Sequence, residues 1–202
     1  MKIMAIYKKE VDHLPAMGMM VWPDSALVRN GKTLFLPVHQ DGDAKINSTV
    51  IFGLGLRIDR LGKSITKKFS SRYYDEVAPV AMIVSERTSE MIMAGKDPLC
   101  TGFVADYSVV CGDFISKEIL SPDTVFSVRM NSEDNATSYQ FNIEHPVDEL
   151  SECVVYASTL NTLKTGDIIV LILKNKDIIP TQSELRVNVD LNNNNLLNFK
   201  LK

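Results

Sequence analysis

What most constrains this chain is a succession of short runs rich in β-branched and aromatic residues: KIMAIY, ALVR, TLFLPV, VIFGLGLRI, SVVCGDFI, TVFSVRM, SYQFNIE, DIIVLIL, LRVNVDL and NLLNFKL. Several are bounded by Gly, Pro, Asn or Asp, which supply turn geometry, so the runs read as strands. Two stretches read as helical instead. Lys67 to Tyr74 continues into Asp75–Val84, and Pro146 to Thr162 places Val147, Leu150, Val154, Tyr156, Ala157 and Leu160 near a period of 3.6. The sum is an α+β fold, mainly β. With 202 residues, 45% of them hydrophobic, the chain can bury one sizeable core. Neither internal repeats nor a linker-like composition divides it, so residues 1–202 are expected to form a single domain.

Two turns stand out. Asn192-Asn193-Asn194-Asn195 separates two alternating runs and predicts a terminal hairpin over Val187–Leu201, because Asn tolerates left-handed backbone. Asn30-Gly31 predicts another, joining Ser25–Val28 to Thr33–Pro37.

Charge narrows the partners. The 22 basic and 25 acidic residues are interspersed, and no basic run is long enough to track phosphates, so nucleic acid is not an expected partner. Met1 to Glu10 lacks the apolar core of a signal peptide and no segment approaches a membrane-spanning length. A soluble cytoplasmic protein without a membrane partner is expected. Cys100, Cys111 and Cys153 are odd in number and widely spaced, which fits buried thiols better than disulfides or a metal site. His39 and His145 lie beside turn signals without ligand-spaced neighbours. Met17, Met19 and Met20, beside Val21 and Trp22, read first as core filling.

Residues 48–65, STVIFGLGLRIDRLGKSI, carry aliphatic residues and glycines on both faces and no acid before Asp59. Gly53-Leu54-Gly55 lacks the third glycine and following helix of a dinucleotide loop.

The ordered set PDSALVRNGKTLFLP, RLGKSITKKF with RYYDEV, SVVCGDF and LKTGDIIV resembles compact members of the fumarylacetoacetate hydrolase family, over nearly the whole chain. The resemblance implies a mixed β-roll with a few short helices, usually dimeric. It also implies Mg²⁺- or Mn²⁺-dependent hydrolysis, decarboxylation or isomerisation of 2-oxo acids such as acylpyruvates. The family's metal is held by a Glu-x-Glu on the strand before RLGK and by a later Asp. Residues i and i+2 of a strand face the same way and suit one hard cation. Those positions are here Ile51, Gly53 and Met82, none with a side-chain oxygen. The family's lid pairs a His with a Glu three residues on; here His13 stands with Ala16. The lysine before Pro-Asp-Ser is Trp22. A second lysine falls at Phe103, while Asp106 fits the family's Asp. The glycine-rich substrate loop near the end reads Leu171–Lys176, an apolar strand with a charged tip.

Three readings follow. The resemblance favours a catalytically inactive relative without a metal cofactor, kept as a scaffold for a homodimer or for hetero-oligomers with an active paralogue. The second is a hydrolase, isomerase, decarboxylase or small-molecule binder with a relocated pocket, for which His13, Trp22, Glu86 and Asp106 are the candidates. The third places a metal at Asp41, Asp43 or Asp75. It ranks last because a one-residue register slip brings up Val50 and Phe52, which are no better as ligands.

Overall fold

The structure, a computed structural model, describes residues 1–35, 48–98, 106–131, 136–174 and 184–202. Strands dominate, as the run pattern predicts. The larger sheet is built on β1 (Lys2–Val11), β2 (Leu14–Pro23), β3 (Leu27–Arg29), β5 (Ser48–Ile58), β6 (Tyr74–Ser85), β7 (Val109–Cys111) and β11 (Ile168–Ile172), in the order β2-β1-β11-β5-β6-β7-β3. A short β8 (Ile115–Ser116) pairs with β6 beside β7. The smaller sheet runs β10 (Ala136–Ile143), β9 (Thr124–Asn131), β12 (Arg186–Leu191), β13 (Asn194–Leu201), β4 (Thr33–Leu34). Three α-helices join them: α1 (Lys67–Ser70), α2 (Glu86–Met93) and α3 (Pro146–Leu160). No helix among the described residues is long and apolar enough to cross a membrane.

The larger sheet is the middle layer. On one side Met4, Ile6, Phe52, Leu54, Leu56, Ile169 and Leu171 share a core with the smaller sheet's Phe126, Val128, Val187, Val189 and Phe199 and with Leu150, Cys153, Val154 and Ala157 of α3. On the other, Ile3, Ala5, Ile51, Val80, Met82, Val84, Val170 and Ile172 pack with Ile92 and Met93 of α2. A strand covered on both faces has no need of polar alternation. This is why β5 is apolar on both sides.

The same double burial explains a correction. Asp75–Val84 is not helical but the body of β6, a twelve-residue strand. An apolar run without polar alternation does not announce its period, although Val77, Val80, Ile83 and Val84 favour a strand. Pro79 sits where the strand's neighbour changes from β8, opposite Glu76 and Val77, to β7, opposite Val80–Met82. At that gap a missing N–H costs no ladder bond. The helix over Pro146–Thr162 is present as α3; α2 was not foreseen. Its start is nevertheless marked by Ser85, whose Oγ accepts the Thr88 N–H at 3.2 Å.

The Asn30-Gly31 turn does not close a hairpin. β3 pairs in parallel with β7 in the larger sheet, whereas β4 pairs in parallel with β13 in the smaller one. The turn hands the chain from one sheet to the other and docks on β13. Asn30 Nδ2 donates to the Leu196 carbonyl, its Oδ1 accepts the Asn198 N–H, and Gly31 N–H donates to the Asn198 carbonyl. The terminal hairpin does form, but about Asn192-Asn193 alone, at φ 49° and 65°; Asn194 and Asn195 already belong to β13. Asn192 also ties the turn down, with Oδ1 accepting the Val125 N–H and Nδ2 donating to the Ile119 carbonyl.

Cys111 and Cys153 are buried as expected, and burial pushes the Cys111 thiol up to about 12 and the Cys153 thiol higher still. Both stay protonated and inert at neutral pH. Cys100, His39, Phe103, Asp41 and Asp43 lie outside the described residues.

Candidate functional site

The positions that the resemblance assigns to metal ligands lie on adjacent strands. Ile51 of β5 and Met82 of β6 are direct register partners, and Gly53, two residues along β5, is opposite Val80. Side chains at 51, 53 and 82 therefore share one face. That face is the one covered by α2. Ile51 and Met82 are fully buried and pack in one cluster with Trp22, Val80, Val84, Val170 and Ile92.

Gly53 is required by its neighbours. A Cβ there would lie 2.4 Å from Val170 Cγ1 and 2.6 Å from the Leu171 carbonyl oxygen, and one at Gly55 would lie 2.7 Å from Val80 Cγ2. Branched side chains of β11 and β6 occupy the room that side chains on β5 would need. Ile51, Gly53 and Met82 thus offer no side-chain oxygen, and their surroundings hold apolar atoms where a hard divalent ion needs oxygen. The donor set does not fit the metal implied by the resemblance. Among the described residues no cluster of His, Cys, Asp and Glu is arranged to hold a metal ion. Asp75 is exposed and ion-pairs with Lys117 at 3.0 Å, which holds its carboxyl below the usual range.

The polar candidates are dispersed. His13 is exposed at the tip of the β1–β2 hairpin, where Asp12 and His13 take φ 51° and 63° to make a two-residue turn. The segment likened to a lid is this hairpin. Ala16, three residues on in β2, offers no polar group that could orient the imidazole of His13. Trp22 lies at the far end of β2, roughly 30 Å away at about 3.3 Å per residue. It pairs with Ile3 and is 1% exposed, and its Nε1 has no hydrogen-bond partner among the described residues. Glu86 opens α2 and lines a shallow cleft with Ser85, Arg87 and Glu90. Asp106 is exposed ahead of β7. The structure thus gathers Trp22, Ile51, Gly53 and Met82 into packed core and leaves His13, Glu86 and Asp106 outside it.

A cleft that the sequence does not announce opens at the end of β11. It encloses about 650 Å³ and is lined by Lys8, Ser138–Ile143, Glu149 and Ile172–Lys174. Lys8 and Glu149 form an ion pair of 2.7 Å at its wall. No run of residues could reveal it, because it arises where β10 is laid against β1, α3 and the end of β11.

No protein-family model and no curated protein matches the chain. Solved structures match it along its whole length. A fumarylacetoacetate hydrolase family protein from Yersinia pestis CO92 superposes with TM-score 0.77 at 18% identity, over 100% of this chain and 92% of that one. Fumarylpyruvate hydrolase from Pseudomonas aeruginosa, in complex with Mn²⁺ and pyruvate, gives 0.75 at 14% identity, over 100% and 89%. A 5-carboxymethyl-2-hydroxymuconate delta-isomerase from Mycobacterium smegmatis gives 0.73 at 16% identity, over 99% and 78%. With its two mixed sheets and three short helices laid out as in these proteins, the chain has the fold of the fumarylacetoacetate hydrolase family.

Proposed function

We propose that the chain is a fumarylacetoacetate hydrolase family member whose metal centre has been replaced by packed core. It keeps the scaffold without the 2-oxo-acid chemistry and acts by association, with itself or with an active paralogue. One observation carries this reading: Ile51 and Met82 face each other across β5 and β6 beneath α2, with Val170 filling the space over Gly53. Charge at such a site would be buried without compensation, at a cost of several kcal/mol.

The test needs no knowledge of a natural ligand. With millimolar Mg²⁺ or Mn²⁺, turnover of acylpyruvates and oxaloacetate is expected to stay at background. A ligand at a hundred times its dissociation constant stabilises the native state by about 2.7 kcal/mol. At roughly 2–4 °C per kcal/mol for a domain of this size, an occupied metal site would raise the melting temperature by about 5–10 °C. No such shift is expected. A saturable, chelator-sensitive shift, or turnover lost in His13→Ala, would overturn the reading.

The cleft at the end of β11 favours a second reading, a metal-free binder of small anions held by Lys8 and Lys174. In that case pyruvate should raise the melting temperature in the presence of chelator, and Lys8→Ala should abolish the rise.

A further inference from the structure

The smaller sheet ends on β10, whose outer edge has no partner strand among the described residues. β10 is regular. All eight of its residues pair in unbroken register with β9, and the ring of Phe141 meets that of its direct partner Phe126 edge to face, centroids 5.9 Å apart. Tyr139, Phe141 and Ile143 pack onto the core, while Ser138, Gln140 and Asn142 are exposed. Every second residue of such a strand directs its N–H and C=O away from its neighbour. Proteins guard edges of this kind with charge, proline, a bulge or brevity. β4, at the other end of the sheet, is only two residues long; β10 (ATSYQFNI) has none of these devices.

The edge faces a wall rather than open solvent. Residues 138–143 form one side of the cleft at the end of β11, and Lys8, Glu149 and residues 172–174 form the other. At about 3.3 Å per residue the six residues of β10 span about 20 Å, so a volume of about 650 Å³ is long and narrow: it has room for one extended chain about 4.8 Å from β10, not for the folded edge of a second sheet. Leu173 on the far wall is 8% exposed and belongs to the same core as Tyr139, Phe141 and Ile143. The walls carry three charges. Lys8 and Glu149 neutralise one another at 2.7 Å, whereas Lys174 has no ion-pair partner among the described residues.

We propose that the cleft binds an extended peptide segment of another protein, which joins the smaller sheet as a strand beside β10. Its residues alternate, apolar side chains turning in toward Leu173 and polar ones turning out beside Ser138, Gln140 and Asn142, and an acidic group meets Lys174. Strand addition takes its affinity from main-chain hydrogen bonds and its selectivity from what alternate side chains meet. A small anion would use the lysines alone and leave the N–H and C=O groups of the edge unmatched. The inference therefore shares the cleft of the second reading above but not its ligand, and it does not depend on the loss of the metal centre.

The probe is a fluorescein-labelled heptapeptide that alternates valine with threonine and ends in aspartate. Fluorescence anisotropy with the full chain should show saturable binding. Backbone N-methylation at one set of alternate residues, whose N–H groups face β10, should weaken it at least tenfold, and methylation of the other set should leave it within twofold. Lysine in place of the aspartate should also weaken binding about tenfold, and Lys174→Glu should invert that preference. Residue-resolved hydrogen exchange should find the outward N–H groups of β10 exchanging freely in the chain alone and protected with the peptide. Protection already present in the free monomer would mean that the chain covers this edge itself, and protection that grows with chain concentration would mean that a second copy does. Either overturns the proposal, as do absence of binding at millimolar peptide and equal effects of the two methylated sets. If Lys174→Glu does not fold, the methylated peptides still decide. Pyruvate has no backbone to methylate, so failure here leaves the small-anion reading standing.

Discussion

Replacing Gly53 with alanine is expected to lower the melting temperature by roughly 4–8 °C, the equivalent of about 2 kcal/mol in a domain of this size. The added Cβ would meet Val170 Cγ1 at 2.4 Å and the Leu171 carbonyl oxygen at 2.6 Å. The first contact can be relieved by a rotamer change, but the second is backbone in the adjoining strand. Val170→Ala, itself destabilising through lost packing, should therefore recover only part of the loss in the double variant. Glutamate at position 53 adds a buried carboxylate to the same clash. Combining Ile51→Glu, Gly53→Glu and Met82→Asp should exceed the 5–15 kcal/mol that typically holds a domain together, so the restored ligand set should not fold, with or without Mn²⁺. Circular dichroism melts would check each step. Gly53→Ala melting within about a degree of the parent, or a folded triple variant that Mn²⁺ stabilises, would mean that the site is more open than its packing indicates.

The glycines of β5 show where sequence reasoning reached and where it stopped. That Ile51, Gly53 and Met82 cannot ligate a hard ion is legible in their chemistry alone. Why the strand is apolar on both faces is not, because the answer lies in two other segments: α2 covers one side, and the smaller sheet with α3 covers the other. The strands were legible wherever a run ended on a turn residue. The β1–β2 hairpin was not, since its Asp12-His13 turn lacks glycine and β2 shows no alternation. Asn30-Gly31 reads as a hairpin because local rules specify the turn and not the partners of the strands it joins; β7 and β13, far along the chain, decide that. For Asp75–Val84 a run apolar on all sides left the period undetermined until β5 supplied its register.

A second large effect is expected at Asp167, in the Thr165-Gly166-Asp167 turn. Its carboxylate is 1% exposed and accepts the Lys2 N–H at 3.0 Å, Lys2 Nζ at 2.6 Å and the Lys164 N–H at 2.9 Å. Its carbonyl accepts the Ile58 N–H at 2.8 Å. One residue thereby joins the start of β1, the start of β11 and the end of β5. Burial by itself would raise the carboxyl, but these donors and the Lys2 charge outweigh it and hold it below the usual range. Asp167→Ala should cost about 3 kcal/mol, because it leaves two backbone donors and an ammonium without their acceptor. Asp167→Asn, which keeps an acceptor but loses the charge, should cost less. The pH dependence separates charge from packing. A carboxyl depressed on folding contributes stability that is complete above its unfolded value, near 3.9, and is lost as pH falls through the lower folded value. In urea unfolding, the gap between parent and Asp167→Asn should therefore be full at pH 6 and narrow steadily below about pH 4. Asp75, Asp97 and Glu184, also held low by lysine partners, titrate in both proteins and cancel from the difference. A gap that stays constant down to pH 2 would assign the effect of Asp167 to shape and hydrogen bonding rather than to its charge.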